Sequence, residues 1–268
     1  MRVAAIQMNS GADVANNLEL AARLLTDAAG DGCSMAVLPE NFALMPGRAR
    51  DKALHAEQPG AGPLQEFLAD TARRLGLWII AGSMPFVSPE PERVYGACPV
   101  YSADGEQLAV YRKIHLFDVK LPDCEESYQE SRSMFPGDDP VTVDTPAGRL
   151  GLTICYDVRF PELYRRLVDA GATVFTVPAA FTRVTGKAHW QTLLRARAIE
   201  NLAYVIAPGQ YGEHADNRTT YGHSSIIDPW GKVLAEQAEG NCHVAAEIDP
   251  ELPAKLRREF PALANRRL

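Results

Sequence analysis

Short apolar segments alternate with helix-patterned segments at both ends of this chain, and hairpin signals interrupt the alternation in the middle. "RVAAIQM" reads as a first strand, and "NNLELAARLLTDAAGDG" carries apolar residues at helical spacing before ending on glycine. "SMAVLPE" is a brief apolar strand stopped by Pro39, "PLQEFLADTARRLG" a helix opening on Pro63 and closing on Gly76, and "LWIIAGS" another buried strand. The centre differs: "VYGACPVYSADGEQLAVYRKI" predicts two strands joined at Asp104-Gly105. Residues 115 to 139 follow as a polar stretch with little periodicity, a length of loop that is usually functional or disordered. Strand, helix and strand then return as "RLGLTIC", "PELYRRLVDAGA" and "TVFTVPA". The helix "AHWQTLLRARAIENLA", the strand "YVIAPG", a hairpin turning at "DPWG" and the strand "CHVAAEID" complete the pattern.

Such an order fits a mixed sheet, or two sheets face to face, with helices outside. An all-parallel doubly wound sheet fits worse, because hairpins have no place in it. No repeat, low-complexity tract or Ser/Gly linker divides the 268 residues, which read as one domain. The formal charge of −7 gives no footing for nucleic acid. No apolar run approaches the roughly 18–20 residues of a membrane helix, and the N-terminus turns polar too soon for a secretory signal. Cysteines 33, 98, 124, 155 and 242 are odd in number and widely spaced, so reduced thiols in a cytoplasmic protein are expected rather than disulfides or zinc. Neither GxGxxG nor GxxxxGK[ST] occurs, leaving a nucleotide cofactor without support.

Chemistry concentrates at strand ends. Cys155 closes an apolar strand just before a helix that starts near Pro161, where a thiol lies beside unpaired backbone N–H groups. Glu40 follows the strand "AVL" beyond a proline, and Lys113 ends "LAVYRK", where it shares a face with Tyr111 while Arg112 takes the other. A thiol, a carboxylate and an ammonium make up an acyl-transfer set: nucleophile, proton shuttle and oxyanion stabiliser. The rival set pairs Cys155 with His115, His189 or His223 as base, and spacing alone does not choose between them. No histidines have metal-ligand spacing.

The motifs "LPE" with Glu40, "YRKIHLFD" with Lys113 and "CYDVRFPE" with Cys155, in that order, resemble those of the nitrilase, or carbon–nitrogen hydrolase, superfamily from "AAIQM" to the end of the chain. The resemblance implies a four-layer αββα sandwich, with two mixed central sheets flanked by helices, over a single domain of residues 1–268. It makes Cys155 the nucleophile of a thioester mechanism, Glu40 the general base, and Lys113 with the Tyr156 backbone N–H the oxyanion hole. Glu130, in "SYQESRSMFPG", becomes a second acid positioning Lys113, while Arg159 and Glu162 brace the turn after the nucleophile.

"AAFTRVTGKAHWQTLLRARAIEN" and "YGHSSIIDPWG" further resemble the Nit-type amidase branch. That branch implies hydrolysis of a small carboxylated amide: deaminated glutathione, giving 2-oxoglutarate and cysteinylglycine, or 2-oxoglutaramate as the alternative. A nitrilase proper, a carbamoyl-amine hydrolase and a non-catalytic binding module are the remaining readings. Arg183 is the expected partner of the substrate carboxylate, with Phe181, Thr182, Thr185 and His189 nearby. No cofactor or metal is expected, a homodimer or higher homo-oligomer is implied, and Cys124 raises the question of redox sensitivity.

Overall fold

A computed structural model describes residues 1–120, 127–215 and 218–267. Among the described residues there are five α-helices, most of them where periodicity and caps agree. Helix α1 (Val14–Gly30) starts two residues before the expected point because the Asp13 carboxylate caps the Asn16 N–H, and it buries Ala21, Leu24, Leu25 and Ala28 on one face. Helix α2 (Pro63–Leu75) opens on proline and stops at Gly76, whose φ of 62° is left-handed. Helix α3 spans Pro161–Asp169. Helix α4 (Arg183–Asn201) begins five residues before the expected start, because the Thr182 hydroxyl accepts from the Thr185 N–H. Helix α5 (Leu252–Glu259) lies in a segment not assigned from sequence.

The first sheet runs Cys242–Glu247, Arg2–Gln7, Met35–Val37, Trp78–Ile80 and Val94–Tyr101, the last of which also pairs with Met84–Val87 and Gln107–Arg112. Its three central strands are parallel and its flanks antiparallel. The second sheet is ordered Val233–Gln237, Ser224–Ile227, Tyr204–Ala207, Val174–Thr176, Gly148–Leu152 and Thr142–Thr145, again parallel only at its centre.

Period-two alternation divides each strand of the first sheet between two cores. Val3, Ala5, Met35, Val37 and Ile80 join the core shared with the second sheet. Ala4, Ile6, Ala36 and Ile79 face the other way, against Leu24 and Leu25 of α1 and Leu64 and Leu68 of α2. Both faces are buried, and for that reason these strands read as unbroken apolar runs. Helices α3 and α4 cover the outside of the second sheet, which completes the αββα sandwich.

Other elements also depart from the sequence expectation. Met84–Val87 is an edge strand that holds Pro85, a residue that argues against a central strand but is tolerated at an edge. Within the polar 115–139 stretch, Asp118–Lys120 pairs with Ser127–Gln129, and a 3-10 turn covers Glu130–Arg132. Cys124 lies outside the described residues. Among the described residues no helix is long and apolar enough to cross a membrane.

Candidate active site

Several strands end on one spot, the usual position of a site in sheets with parallel strands. Met35–Val37 leads into Glu40, Gln107–Arg112 into Lys113, Gly148–Leu152 into Cys155, and Val174–Thr176 into Ala180. The Glu40 carboxylate accepts from the Ala180 N–H at 2.8 Å, and its backbone carbonyl accepts from the buried Gln210 side chain at 3.1 Å. Behind it, Gly82 has a φ of +63°, and a Cβ there would lie 2.1 Å from the Pro39 carbonyl oxygen. Only glycine lets the two backbones approach so closely. The neighbouring Ser83 hydroxyl accepts from the Asn41 N–H at 2.9 Å, fixing the residue after the glutamate.

Cys155 opens the 3-10 turn Cys155–Arg159 with a left-handed φ of 49°, its N–H bonded to the Pro178 carbonyl at 2.9 Å. Such a conformation is uncommon for a side chain with a Cβ and is held here by its surroundings. Chief among them is the fully buried Asp157, which accepts from the Ile154 N–H (2.8 Å), the Tyr111 hydroxyl (2.7 Å) and the His115 backbone N–H (3.1 Å), and meets His115 Nδ1 at 2.7 Å. Tyr156 follows at the start of the turn, where backbone N–H groups have no intrahelical acceptor.

Lys113 Nζ lies 2.8 Å from Glu40 Oε1 and 2.9 Å from each oxygen of Glu130, and Glu130 also accepts from the Phe117 N–H at 2.7 Å. Burial opposes the charge on Lys113, but Glu130 and Glu40 together raise its pKa well above the lysine value, so the ammonium persists. Burial likewise opposes the charge on Glu40, yet Lys113, through charge and hydrogen bond, and a hydrogen bond from Cys155 hold its pKa below the ordinary value. Burial, with the adjacent Glu40 charge, pushes the Cys155 thiol well above its ordinary pKa despite Lys113. The resting state is therefore a neutral thiol near a carboxylate that is ion-paired to an ammonium. Proton transfer from sulfur to Glu40 as sulfur attacks is the chemistry this arrangement permits.

A cavity of about 200 Å³ opens onto Glu40, Lys113, Glu130 and Cys155, with Tyr156, Phe181, Thr182 and Thr185 in its walls. The structure thus brings together most residues singled out from sequence. Arg183 is outside the lining: its side chain is 59% exposed and faces Glu239 at 3.6 Å. His189 is exposed too, near Arg159 at 3.3 Å. Helical periodicity explains the difference, since Thr182 and Thr185 turn inward while Arg183 turns to solvent. Arg159 lies over the Tyr156 and Phe181 rings.

None of the three histidines of the rival set lines the cavity: His115 is held by Asp157 and stacked on Phe160, and His223 bonds to Glu236. Sequence reasoning missed two cavity cations, Lys52 and Arg218, which sit in loop segments without a motif. Among the described residues no cluster of three or more His, Cys, Asp or Glu side chains could hold a metal ion.

The carbon–nitrogen hydrolase family model matches residues 2–258. A Synechocystis protein named deaminated glutathione amidase is 45% identical over 98% of this chain and 97% of its own length. The human protein of that name is 42% identical over 99% of this chain and 82% of its own length. The crystal structure of Saccharomyces cerevisiae Nit3, a member of branch 10 of the nitrilase superfamily, superposes with a TM-score of 0.89 at 31% identity, covering 100% of this chain and 97% of that one. The chain belongs to the carbon–nitrogen hydrolase family.

Proposed function

We propose that this protein is a thiol amidase that cleaves deaminated glutathione into 2-oxoglutarate and cysteinylglycine. The observation that carries the reading is the Cys155 thiol at the cavity wall together with the Glu40 carboxylate, which is itself ion-paired to Lys113. The names of the Synechocystis and human relatives support the choice of substrate.

The steps follow from the arrangement. The Cys155 sulfur attacks the amide carbonyl carbon as its proton passes to Glu40, and the C=O π electrons move to oxygen. Lys113 and the Tyr156 N–H stabilise that oxyanion. On collapse, Glu40 returns the proton to the departing nitrogen, the C–N bond breaks, and cysteinylglycine leaves a thioester on sulfur. Glu40 then takes a proton from water as the water attacks the thioester. Collapse of the second oxyanion breaks the C–S bond and frees 2-oxoglutarate, while Glu40 passes its proton to the departing sulfur and restores the thiol. Glu130, bonded through both oxygens to Lys113, holds the ammonium in place throughout. Cys33, Cys98, Cys155 and Cys242 are all free thiols, which supports a reducing compartment, the cytoplasm.

The test is kcat/KM for deaminated glutathione and for 2-oxoglutaramate on one preparation, with Cys155→Ala as blank. A clear preference for deaminated glutathione is expected. Preference for 2-oxoglutaramate would make the protein an ω-amidase, and turnover of neither would remove the substrate assignment.

A further inference from the structure

We infer that Lys52 and Arg218 form a carboxylate-binding subsite in the wall of the catalytic cavity, which takes the anionic 2-oxo acid end of the acyl half. The inference rests on the amidase reading and names the residues that select its substrate.

Lys52 belongs to the 3-10 turn Ala49–His55 and reaches the cavity, where its ammonium donates to Asn41 Oδ1 at 2.8 Å. Among the described residues it makes no ion pair, whereas Lys113 in the same cavity has two. A half-buried ammonium whose hydrogen-bond partner is a neutral amide has lost hydration without gaining a counter-ion. Burial accordingly lowers the Lys52 pKa; Glu130 and Glu40 work against that shift, while the charges of Arg218 and Lys113 add to it. An anion bound between Lys52 and Arg218 would relieve both effects.

Arg218 comes from the opposite side of the sequence, just before the strand Thr219–Tyr221, and its guanidinium lies over the Tyr128 ring at 4.9 Å. Its planar fork suits a carboxylate. Among the described residues the cavity wall therefore includes three cationic side chains, Lys52, Lys113 and Arg218, and two carboxylates, Glu40 and Glu130. That set stands in a chain of formal charge −7. It matches a substrate that brings a carboxylate to the site. In the 2-oxoglutaryl group four carbon–carbon bonds separate the reacting carbonyl from that carboxylate, roughly 5 Å when extended. A cavity of about 200 Å³ that also contains Cys155 accommodates this reach.

The alternative role for Lys52 is structural, bracing Asn41 beside Glu40. A neutral twin of the substrate separates the two roles: 4-oxopentanoyl-cysteinylglycine, which has a methyl group where deaminated glutathione has the 2-oxo acid carboxylate. Lys52→Met and Arg218→Gln should each raise KM for deaminated glutathione roughly 10-fold or more, as expected for loss of a charged hydrogen bond. The ratio of kcat/KM for deaminated glutathione to that for the twin should fall roughly 10-fold or more in each variant, and Lys52→Arg should recover part of that ratio. Equal losses on both substrates, or none on deaminated glutathione, would overturn the subsite.

A readout without turnover keeps the two proposals distinct. 2-Oxopentanoate should slow iodoacetamide alkylation of Cys155 in the wild type but not in Lys52→Met. If that protection holds while the wild type turns over neither deaminated glutathione nor 2-oxoglutaramate, the substrate assignment fails and the subsite stands. If deaminated glutathione is hydrolysed but protection is absent, or is untouched by Lys52→Met, the subsite fails and the amidase stands.

Discussion

Two buried carboxylates lie close together in the centre of this molecule, and their partners differ in kind. Asp157 is enclosed by donors fixed to the scaffold: two backbone N–H groups, the Tyr111 hydroxyl and the His115 ring. Among the described residues Glu40 has a single backbone donor, from Ala180, and otherwise faces Lys113 and the Cys155 thiol, side chains that can exchange a proton or stabilise a developing charge. A carboxylate whose oxygens are all occupied by immobile donors fixes a turn, whereas one that shares a proton with a nucleophile does chemistry. Substitution should therefore separate the two: changes at Glu40 act on rate, and changes at Asp157 act on stability first.

The largest effects fall on the chemical side. Cys155→Ala should abolish turnover. Glu40→Gln keeps the shape but cannot take the proton, so kcat should fall by about 10³, within the usual range for a general base, while Tm, losing the Lys113–Glu40 pair but keeping the one to Glu130, should fall less than in Asp157→Ala. Lys113→Ala should lose about 10²–10³ from the oxyanion alone. Steady-state rates and thermal melts on the same samples check all three, and a Glu40→Gln protein that melted far below wild type would dissolve the distinction.

Next in size is Asp157→Ala, which leaves several buried donors without acceptors and should cost about 3 kcal/mol. For a chain of this length that is a drop in Tm of roughly 6–12 °C. Tyr111→Phe removes one of those bonds and should cost about 1–2 kcal/mol. Full stability in Asp157→Ala would show that the turn before Cys155 does not depend on it.

A pH profile sharpens the contrast further. The folded Glu40 has a depressed pKa, so its ionised form, and the stability its ion pair contributes, is complete above the unfolded value and disappears as pH falls through the folded one. Because the Cys155 thiol stays neutral well above its ordinary range, activity at neutral pH depends on the Glu40 carboxylate rather than on free thiolate. The acid limb of kcat/KM should therefore lie below the ordinary glutamate range and be absent from the residual activity of Glu40→Gln. An acid limb near neutral pH would contradict that assignment.

How much of this was legible in the sequence depends on whether a residue's position is set by local pattern or by distant contacts. Most strands of the two large sheets and four of the helices announced themselves through periodicity and caps, and Glu40, Lys113 and Cys155 through their places just beyond strand ends. Helix α4 was placed five residues late because Thr182, its cap, reads from sequence as one more polar residue after a strand. Strand alternation puts Tyr111 on the same face as Lys113, yet nothing in "AVYRK" shows that its hydroxyl meets Asp157, 46 residues away. Lys52 and Arg218 were illegible for the same reason: each occupies an irregular segment that reaches the cavity only through tertiary folding. The expected anion partner, Arg183, stands next to cavity residues in sequence, but one step along a helix is about 100° of rotation.

That rotation supplies the smallest expected effect. Arg183 is more than half exposed, and its contact with Glu239 at 3.6 Å is a surface pair of the kind that contributes about 0–1 kcal/mol. Arg183→Ala should change KM for deaminated glutathione less than about 2-fold and Tm by no more than the few degrees such a pair represents. The variant is a control for Lys52→Met, since each removes one positive charge near the same site and alters the net charge of the chain equally. If the two raised KM alike, long-range charge would explain anion selection. If only Lys52→Met did so, selection would require a cation in the cavity wall, because a charge in solvent is screened over the Debye length of about 8 Å while a half-buried one acts at close range on the substrate.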